Sequence, residues 1–245
     1  MSTALARLLA CSAVACLVGC AHLPPDEPSD PLEPVNRGIY KFNRGADRYV
    51  LRPVAKGYRD YVPVEIRGGV SNFLDNLFYP TVIVNDLLQG KFAQGGKDLG
   101  RFVLNTTVGI VGIMDVATPL GLPANNEDLG QTFGRWGAGE GWYLMLPLLG
   151  PSNSRDLVGR VGDAFTSPTA YVETEEAIAI GVVGAVDART QLLDADKILD
   201  EQFDPYIFIR TAYLQRRQSL VFDDNPPKHE YDFGEDEDED EDEDE

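Results

Sequence analysis

Three segments of this chain are strongly apolar, and their shortness constrains the fold more than any other feature of the sequence. They cover Val108–Ala117, Tyr143–Leu149 and Ala177–Val186. The longest has ten residues with its glycines counted, whereas a helix needs about 20 to cross a hydrocarbon layer about 30 Å thick. None of the three can therefore span a membrane as a helix. Each is either a buried core segment or a short apolar element lying partly within one leaflet of a bilayer.

The first twenty residues have the pattern of an export signal. Arg7 precedes the apolar stretch Leu8–Val18, whose eleven residues match the hydrophobic region of a signal peptide. The stretch ends in Leu17-Val18-Gly19-Cys20, which resembles the bacterial lipobox, where the cysteine is lipidated and becomes the mature N-terminus. We therefore predict a signal peptide over residues 1–19 and a lipid on Cys20.

Cysteine use agrees with this interpretation. Cys11 and Cys16 leave with the signal, so that Cys20 is the one mature cysteine and no disulfide or thiol nucleophile is expected. Ala21 follows it, as is common in outer-membrane lipoproteins. We expect residues 20–31, which contain four prolines, to form a lipidated N-terminus and an extended tether.

Charge excludes one class of function. The formal net charge is −19, of which the unbroken acidic run Glu235–Glu245 contributes −11. Neither this run nor the rest of the chain offers the Lys/Arg cluster that nucleic-acid binding requires. We expect residues 223–245 to be a disordered, self-repelling tail that is dispensable for folding, with electrostatic docking of a basic partner as the alternative.

Residues 32–222 have the periodicity of a helical domain. Apolar side chains recur at three- and four-residue steps, and no run shows the alternation of a half-buried strand over more than four or five residues, so the sequence predicts an all-α fold. Proline, glycine, aspartate or serine bounds each expected helix. These helices are one that begins at Pro34 and reaches Val50, then Val64–Phe78, Pro80–Gly90, Phe92–Leu104, Ser154–Ala164, Asp187–Leu199 and Pro205–Leu220.

No catalytic or metal centre can be assembled from the sequence. The two histidines, His22 and His229, lie beside the lipid anchor and the acidic tail, where neither is placed for nucleophilic catalysis. No pair of carboxylates stands out from helix caps and solvated faces, and the acidic run lacks the glycine turn of a calcium loop. We therefore predict that the protein is not an enzyme and holds no metal or cofactor.

A run of closely spaced glycines precedes one of the apolar segments. Gly134, Gly137, Gly139 and Gly141 do not match the G-x-G-x-x-G spacing, and no predicted strand precedes them, so a phosphate cradle is not expected. The run is followed directly by Trp142–Gly150, which indicates either a hinged apolar hairpin or an ordinary turn.

A series of short motifs in this sequence resembles the MlaA/VacJ family of outer-membrane lipoproteins. The matches run in order from about residue 30 to 220. They are Asp30–Arg37, Tyr40, Phe42-Asn43, Arg52–Ala55, Tyr58–Pro63, Ser71–Phe73, Val84-Asn85, Leu88–Gly90, Arg101-Phe102, Asn105-Thr106, Gly112, Asp115–Ala117, Asp128–Thr132, Leu146–Ser152, Arg155-Asp156, Gln191–Asp194 and Asp204–Tyr206. Trp142 stands where the family commonly has proline.

The resemblance implies a fold and a function. The fold is a ring of short amphipathic helices lying in the membrane plane, in the inner leaflet of the outer membrane, around a central channel. The function is to extract phospholipids misplaced in the outer leaflet and pass them to a soluble periplasmic carrier, often in complex with a trimeric porin. A polar channel lets a head group move without entering hydrocarbon, where a charge is costly.

The resemblance also implies roles for particular residues. Phe42 and Asn43 would lie in a structurally sensitive first helix. Gly137, Gly139 and Gly141 would hinge a hairpin that includes Tyr143, Leu144 and Leu146 and gates the channel.

Two other classes of function remain open at this stage. A lipoprotein scaffold or adaptor would tether periplasmic partners and would have a mostly polar outer surface. A hydrolase of envelope lipids would need a serine, histidine or metal centre, which the sequence does not supply.

Overall fold

The computed structural model of the protein describes residues 30–226. The predicted signal peptide (1–19), the lipidated Cys20, nearly all of the tether and the acidic run Glu235–Glu245 lie outside the described residues. Within them the chain is helical apart from one small β-hairpin, so the predicted all-α class is confirmed. No helix in this part of the chain combines the length and the apolar character needed to cross a membrane.

The first half of the chain forms four helices and a π turn. Helix α1 covers Glu33–Ala46 and has proline in its first turn, as predicted, because proline needs no N–H partner there. The π turn Asp47–Leu51 leads into α2, which covers Arg52–Tyr61. The other two helices, α3 and α4, cover Val64–Leu88 and Phe92–Thr107 and pack along each other.

One predicted helix boundary in this half is wrong. The sequence predicts that Pro80 begins a separate helix, but α3 continues through it. Proline cannot donate a hydrogen bond to the carbonyl four residues earlier, here that of Asn76. The helix continues because side chains on both sides of Pro80, including Tyr79 and Asn85, are buried against neighbouring elements.

The second half of the chain contains shorter helices. Three of them begin at side-chain caps, in which Asp128, Asn153 and Asp204 accept hydrogen bonds from backbone N–H groups of the first turn. The elements are a 3₁₀ turn at Thr118–Leu120, α5 (Leu129–Arg135), α6 (Ser154–Thr166), a 3₁₀ turn at Pro168–Tyr171, α7 (Thr174–Gln191), a 3₁₀ turn at Leu193–Ala195, α8 (Asp196–Asp200) and α9 (Pro205–Val221).

The single helix predicted over Asp187–Leu199 is also wrong. Helix α7 begins well before it, at Thr174, and contains the apolar segment Ala177–Val186. The chain then bends after Gln191. Arg189 donates a 2.7 Å hydrogen bond to Asp196 across the bend, and the bend buries Leu193.

The other two apolar segments are not helical. Val108–Ala117 forms a series of turns in which Ile110 and Val111 have positive φ of 56° and 57°, a rare conformation for β-branched residues. Tyr143–Leu149 forms the first strand and turn of the β-hairpin. The strands are β1 (Tyr143–Leu146) and β2 (Gly150–Asn153), and they pair antiparallel.

The two ends of the described chain pack together. Arg37 of α1 donates hydrogen bonds of 3.2 and 2.7 Å to the carboxylate of Asp204, at the start of α9. The Tyr206 ring packs edge-on against Tyr40 and Tyr143, and its hydroxyl donates to Asp30. The main apolar cluster of the fold therefore lies where α1, the hairpin and α9 meet.

Candidate functional site

The hairpin presents one buried side and one exposed tip. Tyr143 and Met145 are buried against α9, while Leu144 and Leu146 are half-buried. The tip is exposed, because Leu148 and Leu149 are 72% and 68% accessible. The segment predicted as a hinged hairpin is thus a hairpin, with apolar side chains at its tip.

Two of the three predicted hinge glycines have a conformation that other residues rarely adopt. Gly137 has a φ of +93° in open space. Gly141 has a φ of +69°, and a Cβ there would lie 2.8 Å from Cβ of Ser154. Gly139 is exposed and is not among the glycines with positive φ. The backbone therefore favours glycine at 137 and 141, and the gating role of the segment remains a prediction.

Two asparagines of α1 hold the free edge of strand β1 and the turn that follows it. The Asn36 amide donates to the Tyr143 carbonyl at 3.0 Å and its Oδ1 accepts from the Met145 N–H at 2.9 Å. The Asn43 amide donates to the Leu146 carbonyl at 2.9 Å and its Oδ1 accepts from the Leu148 N–H at 2.8 Å. These four bonds take the place of a third strand, so α1 clamps the hairpin.

This asparagine clamp gives a physical reason for the sensitivity expected of Asn43 but none for that of Phe42. Asn43 contacts the hairpin directly, whereas Phe42 is 58% exposed. Sequence reasoning missed Asn36, which is 2% exposed. The available signal was the spacing between Asn36 and Asn43, because residues seven positions apart share one face of a helix.

The interior of the molecule is mainly polar. Among the described residues, eighteen buried side chains are polar or charged and nine are hydrophobic. Helix α4 shows the arrangement. Asp98, Arg101 and Asn105 face inward, while Leu99 and Val103 are about half exposed.

A pair of carboxyl groups lies within this interior. Asp86 and Asp98 are at most 1% exposed, and the Asn125 amide donates to both at 3.2 Å. Asp98 also accepts a 2.6 Å hydrogen bond from the Tyr79 hydroxyl. Burial, followed by the hydrogen bond to Asp98, raises the pKa of Asp86 well above its usual value.

A second buried group of charges joins three helices. Arg217 of α9 donates hydrogen bonds of 2.6 and 2.9 Å to Asp128, which caps α5, and one of 2.9 Å to Asp156 of α6. Burial opposes ionisation of Asp128, yet the hydrogen bonds and charge of Arg217 lower its pKa below the usual value. These bonds fix α9 against the elements that follow and precede the hairpin.

A polar cavity of about 350 Å³ opens beside the middle of α3. Helix α3, helix α4 and the segment from Asp115 to Asn126 form its walls. Most of its side chains are amides and charged groups, and Tyr79 and Asn125 connect it to the Asp86–Asp98 pair. Within residues 30–226, no group of three or more histidine, cysteine or acidic side chains is arranged to hold a metal ion.

The outer surface contrasts with this interior. Thirty-eight large hydrophobic side chains of the described chain are exposed. Five of them lie in the turns at 108–114, where Val108, Ile110, Val111, Ile113 and Met114 are each about half exposed or more. Surfaces this apolar mark contact with a membrane or with other proteins. The fold and the site therefore define a class: helical proteins with a polar interior and an apolar exterior.

Comparison with known proteins identifies the family. The model of the MlaA lipoprotein family matches residues 28–220. The intermembrane phospholipid transport system lipoprotein MlaA of Escherichia coli (strain K12) is 41% identical over 211 residues, covering 84% of each chain. The protein of the same name from Haemophilus influenzae is 37% identical over 222 residues, covering 86% of this chain and 88% of its own. The chain belongs to the MlaA lipoprotein family.

A solved structure supports this assignment at the level of the fold. It is described as the structural basis for maintenance of bacterial outer membrane lipid asymmetry. It superposes with a TM-score of 0.73 at 40% identity, and the match covers 79% of this chain and 99% of the other.

Proposed function

We propose that this protein is an outer-membrane lipoprotein that extracts mislocalised phospholipids from the outer leaflet and passes them to a soluble periplasmic carrier. The observation that carries the proposal is the polar interior beneath an apolar surface, in a chain whose relatives are named as phospholipid transport lipoproteins. The process is retrograde phospholipid transport, which maintains the lipid asymmetry of the outer membrane.

The distribution of side chains suits this task. A phospholipid has a charged head group and apolar chains, and moving a charge through hydrocarbon costs at least a few kcal/mol. A polar path through the protein removes that cost, while the exposed apolar side chains contact the acyl region. In this proposal the helices form a ring in the membrane plane around an amphipathic channel. The transfer needs no covalent step, so we assign the protein no catalytic residue.

The hairpin is the proposed gate of this channel. Gly137, Gly139 and Gly141 would let the strand that contains Tyr143, Leu144 and Leu146 change its position. The asparagine clamp from α1 supports this role, because side-chain amides hold the strand edge with four hydrogen bonds that can break without unfolding a sheet.

Membrane attachment is assigned to two features. A lipid on Cys20 would place the protein on the inner leaflet of the outer membrane, facing the periplasm. A single acyl chain gives only marginal binding, and the exposed apolar side chains supply the second attachment.

A trimeric porin and the periplasmic carrier are the proposed protein partners. The apolar surface argues against a scaffold or adaptor that only tethers partners, since such a protein would expose a mostly polar surface.

Lipid analysis of the purified protein tests the proposal. Detergent-purified protein should carry phospholipid that mass spectrometry identifies, and cells lacking the gene should accumulate phospholipid in the outer leaflet and become sensitive to detergent. A Cys20→Ala variant should be mislocalised and should fail to restore asymmetry. Protein free of phospholipid, together with normal asymmetry in the deletion strain, would rule the function out.

A further inference from the structure

The polar cavity has a lining of mixed chemistry. Helix α3 contributes Asn72, Asp75 and Asn76, helix α4 contributes Arg101, and Asp115 comes from the segment that follows the turns at 108–114. Its volume of about 350 Å³ lies at the small end of the range for ligand pockets, about 300–1,000 Å³. A cavity of this size accommodates a polar head group and leaves acyl chains outside.

One of the two carboxylates in the lining is neutralised. Arg101 donates a 2.9 Å hydrogen bond to Asp115 and two of 2.7 Å to the Thr118 hydroxyl and the Leu122 carbonyl. Burial alone would raise the pKa of Asp115, but the hydrogen bonds from Arg101 and Thr118 lower it well below its usual value. The Arg101 guanidinium is therefore occupied by its hydrogen bonds to Asp115, Thr118 and Leu122.

The other carboxylate has no partner. Within residues 30–226, Asp75 lines the cavity with an exposed side chain that makes neither a hydrogen bond nor an ion pair. Partial desolvation, followed by the charge of Asp187, raises the pKa of Asp75, and the charge of Arg101 opposes this rise. Asp187 itself accepts hydrogen bonds from Ser71 at 2.8 Å and Gln191 at 3.0 Å but has no cationic partner among the described residues. The field at this end of the cavity therefore favours a positive group.

We infer that this cavity is a head-group subsite in which Asp75 binds the primary ammonium of a phospholipid of the phosphatidylethanolamine class. The inference rests on the proposed function, because it assigns a preferred substrate to the same transport path. Asn126, which also lines the cavity and is exposed, supplies an amide N–H for the adjoining phosphate. A head group that carries the phosphate charge but no amine, such as phosphoglycerol, would meet the unpaired carboxylate and be disfavoured.

Competition between two lipids tests this inference. Full-length detergent-purified protein is incubated with equimolar phosphatidylethanolamine and phosphatidylglycerol, and native mass spectrometry gives the ratio of the two bound lipids. We expect the wild type to favour phosphatidylethanolamine and the isosteric Asp75→Asn variant to lose about tenfold of that preference, since a hydrogen bond to a charged group is lost. Glu201→Gln, at an exposed site in the turn after α8, is the matched control and should leave the ratio unchanged.

A second variant keeps the test decisive if Asp75→Asn folds poorly. Asp75→Lys should reverse the preference toward phosphatidylglycerol, because the cavity then contains a cation. A wild-type ratio near one that neither substitution changes would overturn the head-group subsite and leave phospholipid binding intact. Wild-type protein that binds neither lipid would instead contradict the proposed function itself.

Discussion

At the scale of single residues, the asparagine clamp is the contact whose removal is easiest to interpret. Asn36 and Asn43 lie on one face of α1 and bind alternating backbone groups of the hairpin. Each hydrogen bond of this kind contributes about 1 kcal/mol to stability, so that losing one asparagine loosens the hairpin without unfolding the chain.

The first prediction follows from Asn43. Asn43→Ala should increase hydrogen exchange at the Leu148 amide, which loses its acceptor, and should lower the free energy of unfolding by about 1–2 kcal/mol. Hydrogen-exchange mass spectrometry of the hairpin and thermal unfolding measure the two effects. Lys41→Ala, at an exposed site on the same helix, is the control. Unchanged exchange in the Asn43 variant would show that the clamp does not restrain the hairpin.

The second prediction concerns the pH dependence of stability. The folded-state pKa of Asp86 is raised above the unfolded value of about 3.9, so in the pH range between these two values the folded protein binds more protons than the unfolded chain. Stability contributed by this group is therefore fully present below pH 4 and falls as the pH rises toward the folded-state pKa. Asp86→Asn mimics the protonated form and should remove this decline.

Melting temperatures from pH 4 to pH 8 measure this effect. The variant should match the wild type near pH 4 and exceed it by a margin that grows toward pH 8, since the asparagine amide can still donate toward Asp98. Parallel curves for the two proteins would contradict the assigned protonation of Asp86.

At the scale of elements, the sequence predicts most helices. It fails where a contact with another part of the fold determines where a helix begins or ends. The starts of the helices at Ser154 and Pro205 agree with the structure because local capping and proline chemistry determine them. The start at Phe92 also agrees, although no side-chain cap precedes it. The break predicted at Pro80 is wrong because burial on both sides outweighs one lost hydrogen bond. The helix predicted from Asp187 is wrong because the Arg189–Asp196 contact bends the chain.

The asparagine clamp illustrates the same limit for the candidate site. The sequence predicts a hairpin or a turn after the glycines and identifies Asn43 through a family resemblance. It does not reveal that Asn36 and Asn43 bind the hairpin, because that contact joins residues more than 100 positions apart. Asp75 was missed for a similar reason, since only the folded cavity shows that it lacks a partner.

The third prediction separates the hinge glycines. Gly141→Val combines an unfavourable φ with a contact at Ser154, so it should lower the free energy of unfolding by about 1–3 kcal/mol. Gly139 is not among the glycines with positive φ, so Gly139→Val avoids that strain and should preserve stability. If the segment is a gate, Gly139→Val should still impair lipid asymmetry, because the loop becomes stiffer.

Thermal unfolding and the detergent sensitivity of cells carrying each variant as their only copy measure these effects, with a blot for abundance. Normal asymmetry in Gly139→Val cells at normal abundance would remove Gly139 from the proposed gate.

At the scale of the whole molecule, the usual rule for interpreting amphipathic helices is reversed. Pattern analysis assumes that the apolar stripe faces inward, whereas in α4 the inward stripe is Asp98, Arg101 and Asn105. The sequence shows the periodicity in either case. It does not show which side is the interior, and that depends on whether the surroundings are water or lipid.

The fourth prediction tests this exterior at Ile110 and Val111. Both have positive φ, which asparagine tolerates better than β-branched residues do. The double substitution Ile110→Asn, Val111→Asn should therefore keep or raise the melting temperature in detergent while reducing the protein's association with liposomes several-fold, because apolar surface is lost. Flotation with liposomes and thermal unfolding measure these effects. Thr107→Asn, at a neighbouring exposed position, is the control, and unchanged flotation of the double variant would show that these turns do not contact the bilayer.

The contacts between α1, the hairpin and α9 also determine when the protein can assemble. Asn36 binds a residue 107 positions away, Arg37 one 167 positions away, and Tyr206 one 176 positions away. Contacts so distant in sequence slow folding, and none that involves α9 can form until that helix has been synthesised. Because α9 is the last helix of the described chain, the closure of α1 and the hairpin onto it depends on the part of the described chain that is made last.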